Sequence, residues 1–312
     1  MKKIKYLAFF SYLGRNYHGF QYQKLEGQRF KTIQDSIQQS LNNFAKQEVF
    51  IKSSSRTDVG VNARKHPVQF VLQRDSKKKI WDLLTVQRGV NFYLRDAGDQ
   101  IAINEVYQVP MEFDVRNDCL EKEYVFYIDS QVGYSWENPL LFYKQSWCIP
   151  DQIDIDRLNQ AFQKYLGRHN FYLFTSPELF QTQFDLFEKE LQSFQITLNP
   201  HEHFPKIQSI RISVKGKGFL KYQVRYMVGI AVLYAQKKID ENYLNYLLNP
   251  TGFIPQEERR NLIRLKAKPE GLFLYDVQYD QKFLHNQIQD DLIVNVPQKQ
   301  VEDIDQQQQQ QT

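Results

Sequence analysis

One aspartate stands between an arginine and a glycine in the run Ser53-Ser54-Ser55-Arg56-Thr57-Asp58-Val59-Gly60-Val61-Asn62-Ala63. Short β-type runs flank it, Val49–Lys52 before and Val68–Leu72 after, so the segment reads as a loop between strands. A carboxylate there can serve as nucleophile or base, and the glycine lets substrate or backbone come close. Taken alone, an Asp in such a loop reads first as a turn former. Other chemistries find less support. Cys119 and Cys148 are too few for a disulfide framework and lack metal-ligand spacing, which points to a reducing compartment. His201 and His203 lie between Pro200 and Pro205 with no carboxylate or Cys cluster nearby, so they read as loop residues and no metal is expected. Neither a Walker loop nor a dinucleotide fingerprint occurs.

The elements that must position Asp58 are legible in outline. Lys5 to Leu13 reads as a buried, aromatic-rich strand. Ile33, Ile37 and Leu41 recur every four residues behind Thr32, which predicts a capped amphipathic helix over 32–44. Trp81 to Val90 reads as helix, and Ile101–Val109 and Tyr124–Ile128 as strands. The second half continues the mixture, with a helix at Asp156–Leu166, a strand at Ile207–Val214, a helix from Gln223 to Lys237 and a last strand at Gly271–Tyr279. In that long helix Val224, Met227, Val228 and Ala231 define a core-facing stripe. This order predicts an α+β fold. Two ferredoxin-like or RRM-like lobes share one mixed, mainly antiparallel sheet, flanked by helices, with a central cleft. The expected units are 1–130 with the Asp loop, 131–285 with the long helix, and an acidic, Gln-rich tail over 286–312.

With 312 residues, 42% hydrophobic and 24% charged, the chain has the composition of a soluble globular protein. Its apolar runs, such as Tyr6–Phe10 and Ile230–Ala235, are too short to span a bilayer. The basic start ends at once in Ser11-Tyr12-Leu13-Gly14, so neither a signal peptide nor a conventional transit peptide is expected. Cytosol is the natural location, with the mitochondrial matrix as the alternative. From Asn286 onward five acids face one lysine, so a net charge of +4 for the whole leaves about +8 on the body. That balance suits an anionic polymer as partner, or simply a solvated basic surface.

The octamer Arg56 to Ala63 resembles the RTDAGVHA signature of TruA-type tRNA pseudouridine synthases, in which the Asp is catalytic. The likeness continues in order from about Lys3 to Asp280. Phe10 to Gln21 resembles the opening YDGTxYxGWQ segment, and Thr32-Ile33-Gln34 matches TVQ at the first helix. Val90-Asn91, Val109-Pro110, Phe113 and Arg116 follow LN…VPxxFHAR. Lys122-Glu123-Tyr124-Val125-Phe126 resembles RxYxY, and Leu166 to Phe171 resembles LxGxHDF. Phe219-Leu220 with Gln223 to Gly229 resembles FLxxMVRxMVG, and Pro269 to Leu274 resembles the terminal AxGLYL strand.

The resemblance implies an isomerase that converts uridine to pseudouridine in tRNA, in the anticodon stem-loop, with no cofactor. It makes Asp58 the catalytic carboxylate, Arg225 its ion-pair partner and Tyr124 the ring stacked on the base. Gly229 leaves space beside the guanidinium. Arg56 then supports the flipped nucleotide or meets a phosphate. Alone, Arg225 would read as a surface arginine and Tyr124 as a β-former. Candidate RNA contacts are Arg15, Arg29, Lys31, Arg64, Lys65, Lys215, Lys217 and Lys221, with Lys77-Lys78-Lys79 equally readable as a solvated turn. The family implies a homodimer holding one tRNA.

Departures from the pattern are Val59, Asn62, His66-Pro67, Asp114-Val115, Asn170 and Lys268, and the segment Ser176–Phe204 shows little of it. Val59 adds branched bulk beside Asp58. The pair Ser54-Ser55 looks more like eukaryotic organellar relatives. Two rival readings stay open: a synthase descendant serving as a structural subunit of a large assembly, and an RNA-binding module without catalysis.

Overall fold

The computed structural model describes residues 1–25, 28–131, 145–176, 184–200, 206–255 and 261–284. In the first half come β1 (Lys2–Tyr12), the short pair β2 (Lys24–Leu25) and β3 (Gln28–Arg29), and α1 (Ile33–Ala45). They are followed by β4 (Ile51–Ser53), β5 (Asn62–Arg74), α2 (Leu83–Asp96), β6 (Ile101–Val109) and β7 (Cys119–Gln131). The second half runs β8 (Trp147–Ile149), α3 (Ile155–Tyr165), β9 (Gly167–Asn170), β10 (Glu188–Leu191) and β11 (Ser193–Pro200). Then come β12 (Ile207–Gly216), α4 (Gln223–Ala235), α5 (Glu241–Leu248) and β13 (Leu272–Tyr279).

Local chemistry sets the helix boundaries. The Thr32 side chain accepts from the Asp35 N–H and starts α1, whose buried stripe is Ile33, Ile37 and Leu41. Replacing that cap with Ala would cost about 1 kcal/mol. Asp82 accepts from the Thr85 N–H at 2.7 Å, so α2 begins two residues later than the apolar pattern from Trp81 implies. In α4 the expected stripe understates the burial. Every residue except Leu233 is buried, because the helix is enclosed by α3, α5 and the 263–267 segment.

The main sheet is mixed and mostly antiparallel, in the order β11-β12-β7-β13-β5-β1-β6, with β4 on β5 and β8 on β7. This is the α+β architecture expected. The centre of the sheet holds its last strand: β13 pairs parallel with β5 and antiparallel with β7. Register then places Tyr12, Ala63, Leu274, Tyr124 and Val214 in one row across five strands. One apolar cluster gathers under α1 and α2, a second under α3, α4 and α5. Tyr124 packs against both. Strand β7 runs unbroken to Gln131, and most of the expected lobe boundary at 130–139 lies outside the described residues, as do His201, His203 and the tail.

Candidate active site

The end of β4 and the start of β5 anchor the loop that carries Asp58. Asp58, Val59, Gly60 and Val61 form a turn closed by the Val61 N–H donating to the Asp58 carbonyl at 3.1 Å. Gly60 adopts φ +79°, and a Cβ there would come within 2.9 Å of Pro269 Cγ, so only glycine makes this turn without strain. Gly19, at φ +80°, lets the Phe20 N–H reach the Thr57 carbonyl at 3.0 Å. Arg116 Nε donates to the Ser53 carbonyl at 2.9 Å and Lys122 Nζ to the Ser54 carbonyl at 2.6 Å. Ser55 and Thr57 face inward; Arg56 and Val59 are exposed.

Arg225 arrives from α4. Its Nη1 lies 3.8 Å from Asp58 Oδ2, and the two side chains are only 9% and 15% exposed. That separation makes an ion pair but not a hydrogen bond. Backbone aims the guanidinium: Nε donates to the Ala267 carbonyl at 2.9 Å, and the Ala267 N–H returns to the Arg225 carbonyl at 3.0 Å. Gly229 permits this clasp, since a Cβ there would sit 1.9 Å from the Leu265 carbonyl oxygen. The space expected beside the guanidinium is thus filled by the chain's own 265–267 segment.

A cavity of about 720 Å³ opens over the loop, walled by Tyr124, Phe219, Leu220 and Tyr222. Tyr124 meets Phe219 edge to face, with centroids 5.3 Å apart. Among the described lining residues Asp58 is the sole carboxylate, and Arg56, Arg116, Lys122 and Lys221 supply cations. Arg225 stands behind Asp58 and not on the lining. Burial pushes the Asp58 carboxyl up to about 6 against the pull of Arg225, Lys221 and Lys266. Desolvation therefore wins, yet the carboxylate still dominates at neutral pH. Burial also lowers Arg225 and Lys122 and raises the Tyr124 phenol, to which the Asp58 charge adds.

A family model described as tRNA pseudouridine synthase matches residues 161–280. The tRNA pseudouridine synthase A of Bartonella quintana is 28% identical over 270 residues, covering 86% of this chain and 96% of that protein. Its namesake in Pelagibacter ubique is 28% identical over 276 residues, covering 88% and 100%. That of Mycoplasmoides gallisepticum is 28% identical over 273 residues, covering 86% and 89%. Along most of its length the chain is similar to the TruA-type tRNA pseudouridine synthases.

Within this fold the basic residues divide sharply. Arg56 and Lys221 line the cavity. Lys65 lies between Glu105 at 3.8 Å and Asp276 at 3.4 Å, Lys31 binds Asp99 at 2.6 Å, and Lys215 binds Glu121 at 3.3 Å. Arg64 covers the Tyr275 ring and lines a second cavity with Tyr127 and Phe273. Arg15 and Lys217 are exposed off the lining, and of Arg29 only the backbone is described. Lys122, Arg116 and Lys266 were missed as site residues. Lys122 was findable, because it lies two residues before Tyr124 on one strand and so shares its face. Two departures have structural reasons. Asn62 accepts from the Gly14 N–H at 2.9 Å and donates to the Glu270 carbonyl at 2.8 Å; Asn170 accepts from the Tyr172 N–H at 3.0 Å and donates to the Phe184 carbonyl at 3.1 Å. Among the described residues no trio of His, Cys, Asp or Glu could hold a metal, and no helix is long and apolar enough to cross a membrane.

Proposed function

We propose that the chain isomerises uridine to pseudouridine in tRNA, with Asp58 as the reacting carboxylate. The observation that carries this reading is a desolvated Asp58, backed by Arg225 at 3.8 Å, in a cavity that Tyr124 also lines. The reaction breaks N1–C1′, turns the base and joins C5 to C1′. The C5 proton leaves and N1 gains one, so atoms balance without cofactor or cosubstrate. The uridine must first leave its stack, and an open cavity rimmed by cations receives an extruded, phosphate-bearing nucleotide.

Asp58 acts either as nucleophile at C1′ or as base on a ribose proton. In both roles it must be ionised and close to the sugar. Arg225 lowers the cost of that charge without occupying the lining, so it positions and stabilises. Tyr124 offers its ring to the uracil face, and its raised pKa keeps the phenol a donor. A structural subunit or a passive RNA-binding module would gain stability by losing such a carboxylate, whereas a synthase needs it. We extend the proposal to an anticodon stem-loop target, a homodimer, and action in the cytosol or the mitochondrial matrix.

Incubation with unmodified tRNA transcripts, followed by nucleoside analysis, tests the reading. Wild type yields pseudouridine and Asp58→Ala yields none; an inactive wild type would overturn the proposal. Mapping the product checks the stem-loop, and sedimentation at 37.3 kDa would exclude a dimer.

A further inference from the structure

Beneath the Asp58 loop runs a row of buried polar side chains that the reaction above leaves without a task. Tyr12 comes from β1, Ser53 from β4, Thr57 from the loop and His66 from β5, and His66 is 0% exposed. Thr57 Oγ1 lies 2.7 Å from Tyr12 Oη, which lies 2.8 Å from His66 Nδ1. On the other side of the ring, His66 Nε2 is 2.7 Å from Ser53 Oγ, which donates to the Pro67 carbonyl at 2.7 Å.

That last bond sets the direction of the rest. Carbonyls only accept, and Ser53 Oγ faces two of them, Pro67 at 2.7 Å and Ser55 at 3.1 Å, so its single proton goes to a carbonyl and His66 donates from Nε2. The neutral ring then accepts at Nδ1 from Tyr12, and Tyr12 accepts from Thr57. Burial holds the imidazole neutral, down to about 3, and Phe20 stacks on it with centroids 4.2 Å apart. The row thereby ties Ser53, where the loop begins, to Thr57, the residue before Asp58.

We propose that His66 is a positioning residue for the reaction: through Tyr12 it fixes the Thr57 side chain, and so the backbone from which the Asp58 carboxylate meets the ribose. This rests on Asp58 being the reacting group. A carboxamide also offers one donor toward Ser53 and one acceptor toward Tyr12, which makes His66→Gln the conservative variant.

The test compares kcat and KM on a tRNA transcript, together with melting temperature, for wild type, His66→Leu, His66→Gln and Thr57→Val. His66→Leu and Thr57→Val should each lower kcat by roughly tenfold or more, within the hundredfold that about 1 Å of misplacement can cost. KM should stay within about twofold, since His66 is off the cavity wall and Thr57, which lines it, spends its hydroxyl on Tyr12 at 2.7 Å. His66→Gln should restore most of kcat. Unchanged kcat in folded His66→Leu and Thr57→Val, or a loss confined to KM, overturns the proposal. If His66→Leu fails to fold, Thr57→Val decides alone, because it removes a single hydroxyl proton donor. A wild type that makes no pseudouridine overturns the functional reading instead, and this inference with it.

Discussion

Asp58 and Asp114 both sit in loops that leave a strand, and they differ in what occupies their oxygens. Asp114 accepts from the backbone N–H groups of Arg116 at 2.9 Å and Asn117 at 3.1 Å, and from Lys52. The Lys52 hydrogen bond, with those backbone donors, holds its carboxyl down at about 2. Among the described residues Asp58 has no hydrogen bond to its carboxylate, only the ion pair with Arg225. A turn-forming aspartate exhausts its lone pairs on its own backbone. One intended for a substrate keeps them open, and burial then raises its pKa.

The sharpest way to break this contrast is to neutralise each carboxyl in turn. Asp58→Asn should lower pseudouridine formation by at least about a thousandfold. Asp114→Asn should leave turnover in place and cost about 1 kcal/mol of stability, given its partial exposure to solvent. Comparable activity losses at both positions would erase the distinction.

Arg225→Met comes next. Without the guanidinium, the carboxyl of Asp58 rises above about 6. Less of it is then ionised at pH 7, so kcat there should fall and should recover as the pH is raised. In wild type, kcat should increase through about pH 6 and level off above it, as a pH–rate profile would show.

Stability should carry opposite signs at the two sites. For Asp58 the folded value lies above the ordinary 3.8, so stability declines as pH rises from about 4 through about 6. Asp58→Asn should therefore be more stable than wild type at pH 8 by about 3 kcal/mol, with no gain at pH 4, in urea titrations. For Asp114 the contribution is present above the ordinary value and is lost as pH falls through about 2. The smallest effect belongs to Val59→Ala. That side chain is 53% exposed, so the melting temperature should correspond to a change within about 0.5 kcal/mol, and only KM should move.

Much of the scaffold was readable from local pattern. The i, i+4 apolar repeat behind Thr32 marks α1, and the turn-rich run 53–61 between β-type segments marks the Asp loop. What pattern could not supply was anything set by distant pairing. β13 meets β5 more than two hundred residues away in sequence, and no periodicity reports that contact. Arg225 is aimed by the Ala267 carbonyl, and this depends on Gly229 admitting backbone from another segment. The polar outward faces of β11 and the shortness of α5 hid both elements. Counting Lys and Arg also overstated the free charge, because Lys31, Lys65 and Lys215 face carboxylates that only the fold brings near.

The placement of β13 has a consequence for biogenesis. While the chain leaves the ribosome, β5 and β7 face an unfilled seam, since the strand that joins them is among the last described segments to be synthesised. Ala267, which orients Arg225, also arrives late. A nascent polypeptide stalled before that point carries an Asp58 loop with no completed partner. Newly made fragments lacking β13 would be inert toward cellular RNA, and competence would switch on only once that strand has been made.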